Sequence, residues 1–483
     1  MRCAITFAAL VRSRSPMVLG VLGVVSMLGA PTARAYDAGT THAGLTERAA
    51  LASSLGRRFA ELFGLPSGIY ETLRFEAKDA RTTELRARLG RLDPGQGYAP
   101  DGGRLPALSW IVAGSVVEEA PPWRERNHFF DAGNDKDGAA GRGLHQGGAG
   151  AKLSLGFGSV TGGVDSLGGF LRGKAFDGTG MASTEWLVSA HNDLSLPRFL
   201  DARERAVSAA SAAERESALA EALLVAGALL HVVEDAGEPA HVHNDFRTDL
   251  YRRGAPYEAF VAARFGRLAV PGPLSGPSGS AMPVAHLADL IHTPAGTGLA
   301  DRTARRFFSL GVLASDSDVS RPEALPKLVA GTPRRGYLVD AERHHLARYQ
   351  RRGQAEDGVE SIRWDLDARC FEDEARILLP ETARAALSAL EHLFRDSLTT
   401  DGMAVKNGAL GLGKGRLSVL AEDGSGARKE IASKDLSSVA AEETLIDLPD
   451  AARTAQRWAV VFRGVDGAGE PIVISIEHAG EPK

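Results

Sequence analysis

The run His231-Val-Val-Glu-Asp235-Ala-Gly-Glu-Pro-Ala-His241-Val-His243-Asn-Asp245 puts three potential metal ligands within eleven residues. Leu219, Leu223, Gly227, His231 and Asp235 fall four apart, which predicts a helix whose inward stripe turns from alkyl to imidazole and carboxylate at its end. A buried carboxylate without a partner is costly, so Asp235 calls for a cation or several donors. Imidazole and carboxylate one helical turn apart can reach the same divalent ion, and Gly237 and Pro239 break the helix so that His241 returns from a turn. The plainer alternative is that His and Asp at a helix C-terminus only cap the dipole and saturate loop backbone.

A metal reading needs ligands from elsewhere. Leu108, Val112, Ser115 and Glu119 are spaced by four, three and four, which places Glu119 on the apolar side of a second helix that Pro121-Pro122 ends. The turn that follows carries His128, which could meet Glu119 at one ion; otherwise Glu118 and Glu119 are a solvated acidic end and His128 sits half-buried between aromatics. His42 lies near the start of another predicted helix, with surface solvation as its ordinary role. Glu258, in Pro256-Tyr-Glu-Ala-Phe-Val261, is either a further ligand or a first-turn glutamate complementing a helix dipole. Adjacent His344 and His345 point to different faces of a predicted helix and read as solvated or core histidines.

The elements that position these residues are mainly helical. Of 483 residues, 44% are hydrophobic and 24% charged, an ordinary globular composition that suits one large domain plus a smaller one. Arg2, Arg12 and Arg14, the apolar run Met17 to Ala30 and Pro31-Thr-Ala33-Arg-Ala35 read as a secretory signal over residues 1–35, too short to span a membrane comfortably. No other run resembles a transmembrane helix. The expected location is secreted or periplasmic, with a mature chain starting at Tyr36. Its free α-amine, of pKa near ~8, would be low enough to bind zinc. Without the four arginines of that segment the chain has 52 basic against 61 acidic side chains, a net of −9, so no stable nucleic-acid complex is expected. Once Cys3 is removed Cys370 is alone, leaving core or metal rather than a disulfide to hold an exported fold.

Residues 36–402 read as the helical domain. Leu51, Leu55, Phe59 and Leu62 predict one helical face, and further helices are expected around Thr303 to Leu313, Leu338 to Arg351 and Thr382 to Leu398. The glycine-rich stretch 132–180 reads as a flap or insertion. Beyond Gly402, short runs at Leu417/Val419, Trp458 to Phe462 and Ile472 to Ile476 predict a small antiparallel β domain over 403–483, with a packing or surface-binding role.

Assembled, this pattern resembles the bacterial zinc-dependent phospholipase C family, relatives of the fungal single-strand-specific zinc nucleases. The resemblance rests on Tyr36 with Thr41-His42, on Gly114-Ser-Val-Val-Glu118-Glu119 with Arg124 to Phe129, on His231-x3-Asp235-x5-His241, and on Tyr257-Glu258-Ala-Phe-Val261, in order across roughly Tyr36 to Leu398. It implies a mainly helical fold and zinc as cofactor. Glu119, His128, His231 and Asp235 would hold one ion; the Tyr36 amine and carbonyl, His42 and a bridging Asp235 a second; His241 and Glu258 would belong to a third. This chain departs from the family at Tyr36, where Trp is usual, at Glu119, where Asp is usual, and at Gly254, where a His is expected four residues before Glu258. The third zinc is therefore the doubtful one, with His243 or Asp245 as the substitutes at hand. The implied chemistry is phosphodiester hydrolysis, with Asp235 and Glu119 as the catalytic carboxylates and phospholipid as substrate, met at a membrane surface. The alternatives are a single-strand nuclease and a catalytically degenerate, zinc-stabilised binding protein.

Overall fold

The computed structural model describes residues 37–63, 65–132, 154–155, 158–159, 180–245, 256–268, 281–315, 328–332, 334–352 and 361–479. Tyr36, Gly254, the predicted signal 1–35 and almost all of the glycine-rich stretch 132–180 lie outside the described residues.

The protein is mainly α-helical, with antiparallel sheet concentrated in its C-terminal part. Its longer helices are α1 (Ala43–Ala52), α2 (Leu55–Leu62), α3 (Ala80–Leu89), α4 (Ala107–Val117), α5 (Leu196–Ser208), α6 (Ala212–Glu234), α7 (Pro256–Arg264), α8 (Leu299–Arg306) and α9 (Ala368–Leu393). Helix α6 is the axis. The Ser211 hydroxyl caps it by accepting from Glu214 N at 3.2 Å, and its many Ala and Leu residues favour helix. The expected single apolar stripe understates its burial: Ser217 to Glu234 are buried on every side, because α4, α5 and α9 surround it. By length and composition alone Ala212–Gly237 would pass for a membrane span, yet 94% of its most apolar window is inside the fold.

Two glycines set how closely α4 and α6 approach. A Cβ on Gly114 would stand 1.9 Å from the Leu224 carbonyl oxygen, and one on Gly227 would stand 1.8 Å from that of Ile111. Backbone therefore touches backbone at the crossing, one turn before His231 and five residues before Glu119.

Three helical expectations are corrected. The face through Leu51, Leu55 and Phe59 is split at Ser53 and Ser54, where the Ser53 hydroxyl bonds Ala50 O at 2.6 Å and Ser54 binds Glu391; Leu51 is exposed while Leu55 and Phe59 are buried. The stretch expected as helix over Leu338 to Arg351 is a hairpin, β2 (Arg335–Val339) and β3 (His345–Arg352), between β1 (Leu328–Thr332) and β4 (Ser361–Asp365) in one antiparallel sheet. Asp340 makes the turn by accepting from Glu342 N and His344 N, and Arg343 takes φ +73°. Finally, α8 stops at Arg306, and α9 starts well upstream of Thr382 and ends at Leu393, so Leu398 opens a strand.

The C-terminal strands are β5 (Leu398–Asp401), β6 (Ala404–Asn407), β7 (Leu412–Glu422), β8 (Arg428–Leu436), β9 (Thr444–Asp447), β10 (Arg457–Asp466) and β11 (Pro471–Ala479). They form antiparallel sheets of order β9-β6-β5 and β8-β7-β10-β11. Side chains alternate on the larger sheet. Leu417, Val419, Val460, Phe462 and Ile474 build a core of their own, while Leu420, Ala459, Val461 and Val473 join the helical core. Buried arginines stitch this contact: Arg428 bonds Glu477 at 2.9 and 2.6 Å, Glu422 at 2.8 Å and the Val207 carbonyl at 2.7 Å.

Candidate metal centre

Separate elements deliver the ligand-type side chains. The tight turn Ala38–His42 feeds α1 and buries His42; Glu118 and Glu119 follow the end of α4; the turn Pro122–Asn127 presents His128; α6 brings His231, and Asp235 opens the turn after it. His42, His231 and Asp235 are wholly buried, His128 is 1% exposed and Glu119 8%.

Asp235 is the hub. Its Oδ1 lies 3.2 Å from His42 Nε2, and its Oδ2 lies 2.8 Å from His128 Nδ1 and 3.3 Å from His231 Nε2. Glu119 Oε1 stands 3.9 Å from the same His231 nitrogen. Ligand atoms of His128, His231 and Asp235 fall within 4.8 Å of one another, as do those of His42, Glu119 and His231. The rings of His42 and His231 stack at 3.8 Å. Despite these approaches, neither Asp235 oxygen, nor His128 Nδ1, nor His231 Nε2 is in hydrogen-bond alignment. Among the described residues, four buried polar atoms thus converge on one small volume, a donor set that a metal cation would satisfy. The donor set, imidazole nitrogens plus carboxylates, suits zinc.

What stands behind each ring fixes which nitrogen it offers. His231 Nδ1 is 2.7 Å from the Ser115 carbonyl, so that nitrogen carries the proton and Nε2 presents its lone pair. His42 Nδ1 donates to Glu234 Oε2 at 2.6 Å, and Glu234 is held in turn by the Thr46 hydroxyl at 2.8 Å. His128 turns Nε2 toward Glu118 at 3.4 Å, leaving Nδ1 for Asp235. Glu118 is itself locked by Arg124 at 2.8 and 2.6 Å and by Trp186 Nε1 at 2.9 Å, and Arg124 reaches on to Asn192 and Asp193. Burial would raise the Glu118 carboxyl, but the Arg124 charge prevails and holds it at about 2.

Glu234, Thr46, Glu118 and Arg124 were not singled out from the sequence as supporting groups. The available signal was the acid beside Asp235, which in a linear reading looks like a solvated helix end. Glu234→Gln keeps the size and removes the charge behind His42. Affinity for a divalent metal is expected to fall by roughly 10–100-fold while the fold is retained. Competition with a chelator measures it, and an unchanged affinity would mean that Glu234 does not orient His42.

Titration adds a second expectation. Burial acts to lower His42 and His128, but Asp235 with Glu234 overrides it for His42, and Asp235 with Glu118 for His128, leaving them raised to about 10 and about 9. Burial and the His42 charge push His231 down to about 4. Raised groups are protonated at pH 7 in the metal-free protein, and a ligating nitrogen must lose its proton. Metal binding at pH 7 is therefore expected to release about two protons. Calorimetry in buffers of different ionisation enthalpy reads that number, and release of none would contradict it.

The other predicted ligands are placed differently. His241 is buried, stacks on Phe129 at 4.2 Å and sets Nδ1 3.0 Å from Glu238 Oε2; Glu258 is buried in the first turn of α7. Among the described residues, neither joins a set of three ligand-type side chains within 4.8 Å. His243 is engaged with the Phe307 carbonyl at 2.8 Å and Asp245 with Gly311 N, while Gly254 lies outside the described residues. Asp340, Glu342 and His344 form another ligand-type cluster, but Arg306 already contacts all three at 3.2 to 3.4 Å.

A mainly helical fold around a buried imidazole–carboxylate cluster, with an antiparallel sheet behind it, is the class these observations define. No family model matches the chain. No curated protein matches it. Among solved structures, the alpha-toxin of Clostridium perfringens from an avian strain aligns at 9% identity and a TM-score of 0.29, covering 92% of this chain and 99% of that one. The alpha toxin of Clostridium absonum aligns at 10% identity and a TM-score of 0.30, covering 93% and 98%. Likeness at these scores carries no weight for function.

Proposed function

We propose that the chain is an exported zinc-dependent phosphodiester hydrolase of phospholipase C type, acting on phospholipids. The observation that supports it is Asp235, which turns one oxygen toward His42 and the other toward His128 and His231, the posture of a carboxylate shared between two ions. Among the described residues the ion-pair partners of Glu234, Asp235 and Glu238 are histidines, whose protons divalent cations would replace. Bound there, paired zinc ions would polarise a phosphodiester and lower the pKa of a water toward about 7. His42, His128 and His231 would hold the pair, Asp235 would join it, and Ser115, Glu234 and Glu118 would fix the rings. Glu119, buried like the others with its Oε1 3.9 Å from His231 Nε2, would serve as ligand and proton acceptor. Cleavage after Ala35 would add the Tyr36 amine and carbonyl beside His42, and residues 403–483 would contact the membrane surface.

The complete burial of His42, His231 and Asp235 favours a second reading, a closed structural zinc site without catalysis. Elemental analysis of the mature protein, with turnover of choline phospholipid compared against single-stranded DNA, separates the cases. Two or more zinc ions with lipid hydrolysis support the proposal, and preference for DNA moves it to a nuclease. A metallated protein inert on every phosphodiester supports the structural reading, and absence of zinc ends both.

A further inference from the structure

Helix α9 carries one carboxylate inside the fold that nothing answers. Glu374 is 3% exposed, and among the described residues it has no hydrogen-bond or ion-pair partner. The acids beside it are engaged: Asp373 accepts from His345 N at 2.8 Å, and Glu372 bonds Arg376 at 2.7 Å. Glu374 instead lines a cavity of about 20 Å³ together with Glu238, from the turn after α6, and Ser309, from the segment after α8. Buried Phe308, Leu366 and Phe371 make its walls apolar. Neither His241 nor Glu258 lines it, and the residues of the metal cluster lie elsewhere.

Two acids facing one small apolar-walled space repel each other. Glu238 is steadied from one side, since its Oε2 accepts from His241 N at 2.9 Å and lies 3.0 Å from His241 Nδ1. Glu374 is steadied by nothing, and burial together with the Glu238 charge pushes its carboxyl well above the ordinary carboxylate range. A buried carboxylate without a partner is costly, and a cation removes that cost. The volume exceeds the roughly 10–15 Å³ that one water needs, so a single stripped ion fits. The side-chain donors around it are oxygens, two carboxylates and a hydroxyl, and among the described residues no His or Cys joins them. Such a set selects a hard cation over zinc, and calcium, which accepts irregular oxygen ligation, over magnesium, which keeps its waters.

We propose that Glu374, Glu238 and the Ser309 hydroxyl form a calcium site separate from the zinc cluster, tying the turn between Asp235 and His241 to α9. The site does not depend on the hydrolase reading, so its test runs on the full mature chain, zinc-loaded, in calcium-free buffer to which calcium chloride is added. Equilibrium dialysis with radioactive calcium reads the binding, and thermal unfolding reads its consequence. Expected are one calcium per chain, a midpoint raised by roughly 3 °C at saturating calcium, and binding at least about tenfold weaker in Glu374→Gln. Without calcium that variant should be at least as stable as the wild type, because the buried acid is gone, and with calcium it should be the less stable of the two. Glu372→Gln, at an exposed position on the same helix, is the control expected to bind calcium normally. Absence of bound calcium, equal calcium binding in Glu374→Gln, or loss of a zinc ion in place of calcium in that variant would overturn the proposal.

Discussion

On the proposed function, Asp235→Asn is expected to abolish phosphodiester hydrolysis, by roughly a thousandfold or more, and to strip the protein of zinc together with it. The substitution keeps the shape and removes one charge from a side chain that three imidazoles surround within 3.3 Å. Burial alone would raise this carboxyl; the surrounding histidines hold it far below the ordinary range, so it is anionic at every working pH. An amide offers one oxygen where the carboxylate offers two, and could not serve both sides. Retention of zinc with loss of turnover would assign Asp235 to chemistry alone. Retention of both would remove it from the site.

Gly227→Ala is the second large effect, and it acts without touching a ligand. The added methyl would occupy space now held by the Ile111 carbonyl and lie 3.0 Å from Ser115 N, backbone atoms that cannot swing aside. Helices α4 and α6 must separate, at a cost of about 3 kcal/mol or more. The Ser115 carbonyl that orients His231 lies on α4 at this crossing, so zinc affinity should fall together with the midpoint of chemical denaturation. Gly56→Ala, where the nearest contact is Ile69 at 4.0 Å, is the control expected to fold normally. Equal stability of the two variants would refute the close-packing account.

How much of this was legible beforehand follows from what each contact depends on. His231 and Asp235 could be paired because a helical period is a local property, and that spacing survives whatever surrounds the helix. Glu119 and His128 were reachable for the same reason, each lying on or just past a readable helix end. Glu234 was not, since its value comes from His42, 192 residues away, and adjacency to Asp235 said nothing of that. The hairpin over residues 335–352 reads as helix in the sequence because its turn depends on Asp340 binding two backbone amides, a signal hidden among arginines and histidines. The tight crossing at Gly114 and Gly227 was invisible too, as a glycine within a helix reads only as a weakness until its neighbour is known.

The larger C-terminal sheet contributes side chains to two cores at once, so heat has no seam along which to divide the molecule. Strands β7, β10 and β11 cannot unfold without laying bare Leu420, Val461 and Val473 against the helices, and the buried Arg428–Glu477 pair would be broken in the same event. Calorimetry should therefore register one cooperative transition where a tethered accessory would give two. A chain truncated at residue 402 would therefore lose part of its helical core rather than leave a clean fragment, and a loss of membrane binding on such deletion would say as much about the helices as about the strands removed.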